Sequence, residues 1–158
     1  MVASHYIPNP LLINGLKFDL RIYVAITSLN PLRLYIYEEG LARFATTPYK
    51  DVGFKTKSNR FMHLTNYSIN KFNKKAFVQN NDPNNLLDGT QGSKWSLKAL
   101  KKQLEQMGIS STEIFKKIED IIVKTIISGE PLLNNSFEMF VPFRNNCFEL
   151  LGFDILID

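Results

Sequence analysis

The chain reads as an α+β protein, a mostly antiparallel sheet joined to two helices. Three observations predict this. Residues 18–27 and 32–38 alternate side chains in a two-residue period across a turn at Ser28-Leu29-Asn30-Pro31. Apolar residues then recur at helical spacing in two blocks between 97 and 126. The last twenty residues return to an extended, apolar pattern. A length of 158 residues, 44% hydrophobic and 22% charged, suffices for one buried core.

Bulk properties narrow the classes. No run of about 18 apolar residues is present, so no membrane span is expected. Met1-Val2-Ala3-Ser4-His5 lacks the blocks of a signal peptide. Cys147 is the single cysteine, which excludes an intrachain disulfide and weighs against a cysteine zinc cluster. A net charge of +4 and a pI near 9.1 suit an acidic partner. The lysines are spread over 50–75 and 94–124 without a dense basic stripe, which disfavours nucleic acid.

The first strand pair is followed by a turn at Glu38-Glu39-Gly40 and a third strand over 41–46, together an antiparallel meander. Residues 47–60 read as loop, and 61–69 as ordered, with a short strand the simplest form. From 70 to 93, Asn70, Asn73, Asn80, Asn81, Asn84 and Asn85 join Asp82-Pro83 and Asp88-Gly89, the composition of a long mobile loop. Leu97, Leu100, Leu104 and Met107 form one helical stripe, stopped by Gly108. Ser110 and Glu113 make a capping box for a second helix, with Ile114, Ile118, Ile121, Ile122 and Ile126 as its buried stripe and Gly129 with Pro131 as its end. Strands are expected over 137–143 and 147–158, with a turn at Arg144-Asn145-Asn146. The chain stops inside an apolar strand with no turn or cap, which reads as a fragment of something longer.

Lys17, Asp19 and Arg21 stand out within the first strand. On an extended chain they share one face, while Phe18, Leu20, Ile22, Val24 and Ile26 share the other. Ionisable groups aligned along an apolar strand must be solvated, paired or used. One reading is a solvated face with a local salt bridge; the other is a wall that holds a phosphorylated ligand. Asp154 and Asp158 share a face of the last strand but lie roughly 13 Å apart, too far to hold one metal ion together.

Six segments in order resemble the tubulin tyrosine ligase-like family, and its polyglutamylase branch in particular. They are Lys17-Phe18-Asp19-Leu20-Arg21-Ile22-Tyr23-Val24, Glu39-Gly40-Leu41-Ala42-Arg43-Phe44-Ala45, Phe61-Met62-His63-Leu64-Thr65-Asn66-Tyr67-Ser68, Lys94-Trp95-Ser96, Lys124-Thr125-Ile126-Ile127-Ser128, and Phe148 through Asp158. The resemblance implies an ATP-grasp fold, with residues 1–158 its central and C-terminal part. It implies ATP-dependent ligation of L-glutamate onto glutamates of acidic tubulin C-terminal tails through an acyl-phosphate. ATP and Mg²⁺ are the implied cofactors. A monomer acting on microtubules, in the cytoplasm and cytoskeleton including cilium and basal body, follows by the same resemblance.

Residue roles carry over position by position. Ser4, His5, Tyr6 and Ile7 fall where the family lines the adenine pocket, and Lys17, Phe18, Asp19, Thr65 and Asn66 where it binds ATP. Arg21 falls near the reaction centre. Arg43 would hold the carboxylate of incoming glutamate, with Tyr67, Ser68 and Lys94 completing that pocket. Asp154 would ligate magnesium. The family's further Glu-x-Asn element is absent from the 158 residues, so the isolated chain is expected to be inactive, and the alternative to a ligase is a non-catalytic module that binds acidic tails. Taken one at a time, the same positions read more plainly: Arg43 as a surface strand residue, Lys94 as a helix-start lysine, His63 as a hydrogen-bonded residue with no catalytic role, Tyr67 and Trp95 as core, and Cys147 as a small buried hydrophobe.

Overall fold

The computed structural model describes residues 4–50, 56, 58–78, 92–143 and 146–158. Among them the strands are β1 (Leu12–Ile13), β2 (Leu16–Leu29), β3 (Leu32–Phe44), β4 (Lys94–Ser96) and β5 (Glu149–Ile155). The helices are α1 (Arg60–His63), α2 (Tyr67–Asn70), α3 (Leu97–Gln106) and α4 (Ser111–Phe140). All strand pairs are antiparallel, with β2 central between β3 and β5, β4 on the far side of β3, and β1 folded back on the start of β2. An α+β architecture with an antiparallel sheet is therefore present.

The alternation of β2 creates two unlike faces. Phe18, Leu20, Ile22, Val24 and Ile26 are buried against Ala42, Phe44, Trp95, and the α3 and α4 residues Leu97, Leu100, Leu104, Ile118, Ile122 and Ile126. Phe44 stacks between Phe18 and Trp95, with ring centroids 5.5 and 4.6 Å away. Lys17, Asp19 and Arg21 lie on the opposite face. Ser96 and Ser110 cap α3 and α4, accepting from the Ala99 and Glu113 amides, so the serine half of the expected capping box is realised. Gly108 stops α3 in the left-handed region at φ 75°.

Several expected elements differ. Glu38-Glu39-Gly40 is no turn, and residues 41–46 start no separate strand. β3 runs through them, with Tyr37-Glu38-Glu39 bulged opposite Tyr23, between the pairs Ile22–Gly40 and Val24–Ile36. Gly40 passes so close to β2 that a Cβ there would sit 2.3 Å from the Arg21 carbonyl oxygen, so the glycine marks a close strand approach. Residues 61–69 hold two one-turn helices in place of a strand. Met62 is buried there, and Asn70, 1% exposed, ties α2 to β3. Its Oδ1 accepts from the Thr46 amide (3.1 Å) and hydroxyl (2.7 Å), and its Nδ2 donates to the Leu64 carbonyl (2.7 Å).

The second helix continues past Gly129 and Pro131 to Phe140 and takes up most of the strand expected over 137–143. Leu133 and Phe137, one turn apart, line an apolar groove with Ile26, Leu29 and Leu151. Leu133 itself is 52% exposed, so the helix continues through the local signal to stop without being buried there. Ile121, counted in the buried stripe, is 50% exposed, and Cys147 is exposed rather than buried. Of the long asparagine-rich loop, residues 71–78 form turns. Residues 79–91 lie outside the described residues, as do 144–145 of the expected final turn.

Candidate functional site

Strand pairing assembles the charged face. Asp19 on β2 sits opposite Arg43 on β3, and Arg43 opposite Lys94 on β4. Two residues along β2, Arg21 sits opposite Asp154 on β5. Directly opposite residues share a face, so four strands contribute to one row of charges. Arg43 donates through Nε to Asp19 Oδ1 (2.9 Å) and through Nη2 to Asp19 Oδ2. Its Nη2 also lies 2.9 Å from Asp154 Oδ1. Arg21 donates through Nε to Asp154 Oδ1 (2.6 Å) and through Nη2 to Oδ2 (3.1 Å). The result is a continuous chain, Asp19–Arg43–Asp154–Arg21, of forked charge-assisted bonds.

Burial grades along this chain. The Asp19 and Arg43 side chains are 12% and 10% exposed, against 30% for Arg21 and 47% for Asp154. Arg43 is therefore no surface strand residue. Its guanidinium is held charged by the hydrogen bonds it donates to Asp19, against the cost of burial. Burial pushes the Asp154 carboxyl up, and the Arg21 and Arg43 hydrogen bonds more than reverse it, leaving it below its ordinary value. A carboxyl depressed in the fold stabilises above its unfolded pKa and loses that contribution as pH falls through the folded one. The stability gap between the wild-type chain and Asp154→Asn is accordingly expected to be constant from about pH 5 to 7 and to close below about pH 4. Urea midpoints across that range check it; a gap indifferent to pH would show that the carboxylate is not what the arginines hold.

A second cluster forms where the N-terminal segment crosses the sheet. The Lys17 ammonium, on a residue only 7% exposed, donates to the Tyr6 hydroxyl (3.3 Å) and lies 4.7 Å from that ring's centroid. Burial lowers the Lys17 pKa, with Asp19 opposing the shift. Tyr6 also meets His63 Nδ1 (2.7 Å) and the Tyr49 hydroxyl (3.1 Å). His63 Nε2 lies 2.9 Å from the Thr56 carbonyl, which can only accept. In a neutral ring Nε2 thus carries the proton and Nδ1 accepts from Tyr6. The Tyr6 ionisation is pushed upward, by burial first and then by Tyr49.

The expected site residues fall into three groups. Lys17, Asp19, Arg21, Arg43, Lys94 and Asp154 share the charged face, and the Lys94 ammonium lies 4.0 Å from the centroid of the Tyr67 ring, which is 41% exposed. Ser68 follows in the same short helix, and Thr65 and Asn66 immediately precede it. Phe18 lies on the opposite face, 1% exposed in the core, as does Trp95. Ser4, His5 and Ile7 flank Tyr6, the one of the four whose side chain reaches Lys17. Two residues given no role by sequence, Tyr49 and His63, complete the surroundings of Lys17; His63 is embedded in a motif, whereas Tyr49 carries no local signal. Asn70 is a third such residue, placing α2 and hence Tyr67 and Ser68.

A magnesium ion is not fitted by these residues alone. Both Asp154 oxygens and both Asp19 oxygens are bound by arginine, and no group of three His, Cys, Asp or Glu side chains able to hold a metal occurs among the described residues. The cations, by contrast, suit a phosphorylated or carboxylated ligand by their chemistry, with Arg21 the more exposed of the two arginines.

Comparison with known proteins extends the pattern. The sequence pattern of the tubulin-tyrosine ligase family matches residues 1–158. Tubulin polyglutamylase TTLL5 of Homo sapiens is 50% identical over 158 residues, covering 100% of this chain and 12% of that protein. Tubulin monoglutamylase TTLL4 of Mus musculus is 48% identical, covering 100% and 13%, and tubulin polyglutamylase TTLL6 of Mus musculus 43% identical over 161 residues, covering 100% and 18%. The chain thus spans less than a fifth of the length of these relatives.

Proposed function

The chain belongs to the tubulin-tyrosine ligase family, and from that premise we propose that the protein carrying it joins glutamate to glutamate side chains of tubulin tails at the expense of ATP. The observation that carries this reading is the row Lys94–Arg43–Asp19 beside Arg21–Asp154, within a chain similar throughout to tubulin glutamylases. The proposed fold is ATP-grasp, with ATP over Lys17 and Asp19 and against Thr65 and Asn66, and with its adenine toward residues 4–7.

In the proposed reaction an acceptor carboxylate oxygen attacks the γ-phosphorus of ATP, and ADP leaves. The amine of the incoming glutamate then attacks the acyl carbon; phosphate departs, and the amine proton passes to solvent. Lys17 and Arg21 supply positive charge where phosphate oxygens gather. Asp19 retains lone pairs for ribose hydroxyls while its carboxylate anchors Arg43. Arg43, Tyr67, Ser68 and Lys94 form the glutamate pocket. Because Arg43 commits Nε and Nη2 to the two aspartates, it meets the glutamate carboxylate through Nη1, or after Asp154 lets go. Asp154 would give an oxygen to magnesium only on release from Arg21 or Arg43, which hold both of its oxygens here.

The test is incorporation of labelled glutamate into purified tubulin by the full-length protein with ATP. Lys94→Met is expected to raise the KM for glutamate about 10- to 100-fold, the scale of one charged hydrogen bond of ~1.5–3 kcal/mol, with the KM for ATP unchanged. An unchanged KM for glutamate removes Lys94 from the pocket. No incorporation, together with tubulin binding that needs no nucleotide and weakens with salt, supports instead the binding module.

A further inference from the structure

The charged face does not end at Arg21. Two residues further, Tyr23 stands opposite the Tyr37-Glu38-Glu39 bulge, and Ala25 has Tyr35 on one side and Leu150 on the other. By the same alternation Arg33 follows Tyr35 on this face. Tyr23, Ala25, Tyr35, Tyr37 and Leu150 line an open hollow of about 530 Å³. Tyr35, Tyr37 and Leu150 are 63%, 65% and 61% exposed. Single exposed apolar residues are ordinary, but a contiguous patch beside a charged site marks a contact surface. Tyrosine gives such a surface an apolar ring and a polar tip with little conformational entropy to lose.

Charge brackets the patch. Arg21 stands at one end and the exposed Arg33 at the other, opposite Ser28. Seven residues of strand separate these levels, about 23 Å at ~3.3 Å per residue. Glu38 and Glu39 are the acids beside Tyr37, confined to the bulge, while Asp154 is already paired with Arg21. An occupant with carboxylates spaced along an extended backbone would meet a cation at each end and tyrosine rings between them.

We propose that this tyrosine floor is the docking track of the acceptor polypeptide, an extended acidic segment of about seven residues lying along β2, β3 and β5 and leading to Arg21. This rests on the ligase reading above and adds to it the route by which the acceptor arrives. The aliphatic stems of its acidic side chains cover the tyrosines, and their carboxylates reach Arg21 and Arg33. The surface needs no nucleotide to be formed.

The experiment uses the full-length protein, its Tyr35→Ser/Tyr37→Ser double variant and, separately, Arg33→Glu. All three positions are exposed in this chain, and circular dichroism checks that folding is retained. The probe is a fluorescent glutamate-rich peptide of tubulin-tail composition, titrated without ATP; glutamate incorporation is measured in parallel. Each variant is expected to weaken peptide binding about tenfold or more, the scale of an interface anchor residue, and to raise the acceptor KM with the KM for ATP unchanged. Wild-type ligation with peptide binding unmoved by either variant overturns the docking track and leaves the ligase reading intact. Peptide binding that falls in both variants without any incorporation by the wild type supports the track and overturns the ligase. Protection of Tyr35 and Tyr37 from nitration in the peptide-free protein shows another segment seated there and overturns the track.

Discussion

Arg43→Ala is expected to destabilise the chain by about 3–5 kcal/mol, the cost of removing one partner from a buried ion pair. The loss does not come from the missing bonds alone. Asp19, 12% exposed in its side chain, would be left without its guanidinium partner in a site from which water is largely excluded. Asp154 would lose one of its two arginines. Urea denaturation of the wild-type and variant chains measures the difference. Arg43→Lys is expected to recover little of it, because an ammonium cannot reproduce the fork that engages Asp19 through Nε and Nη2. Arg43→Met with Asp19→Asn removes both charges at once and is expected to be milder than Arg43→Ala. A variant close to wild type in stability would mean that Asp19 finds solvent without the arginine. Any activity measured on Arg43→Ala must accordingly be read beside its stability, since a lost glutamate contact and a loosened sheet both lower turnover.

Gly40→Ala should be nearly as damaging for a steric reason. The added Cβ would lie 2.3 Å from the backbone oxygen of Arg21 and 3.1 Å from Leu97 Cδ1. The first neighbour is backbone and cannot rotate away, so β3 must move off β2. Overpacking of this kind costs typically ~1–3 kcal/mol and sometimes more, and the upper end is expected here. The displacement would fall two and three residues from Ala42 and Arg43, so the spacing of Asp19 and Arg43 would suffer with it. A loss of stability in Gly40→Ala that Asp19→Asn does not deepen further is the measurable sign of that coupling. Additive losses would separate the close approach from the ion network.

The charged row was legible in the sequence because strand alternation alone puts Lys17, Asp19 and Arg21 together. What joins it from other strands was named only through the family resemblance, with no local pattern to show it. Arg43 lies 24 residues from Asp19, and Asp154 lies 133 from Arg21; register between strands so distant leaves no local trace. The two long helices, the Gly108 stop and the Ser110 cap were visible, since 3.6-residue periodicity and capping signals are local. The misread positions share a cause. Glu38-Glu39-Gly40 resembles a turn because a bulge and a turn draw on the same residue types, and only the proximity of the Arg21 carbonyl distinguishes them. Gly129 and Pro131 resemble a helix end, yet the helix runs on to Phe140, since a proline removes one hydrogen bond and can kink a helix without ending it. Conversely, Asn14-Gly15, both at positive φ, forms the two-residue turn between β1 and β2, a strong hairpin signal that the expected elements did not include.

The central place of β2 also dictates an order of assembly. The β2–β3 hairpin closes over two residues, from Leu29 to Leu32, so the Asp19–Arg43 pair can form as soon as the first strands exist. Arg21 must wait for a partner near the far end of the chain, and long-range pairing is both slower and entropically dearer than a hairpin. Until β5 arrives, one edge of β2 is open and one arginine is unmatched. Among the described strands β5 is made last, so the exposed end of the ion network is completed after the Asp19–Arg43 pair. By the same topology the Arg21–Asp154 pair is lost when β5 peels away, so it marks whether β5 is docked on β2.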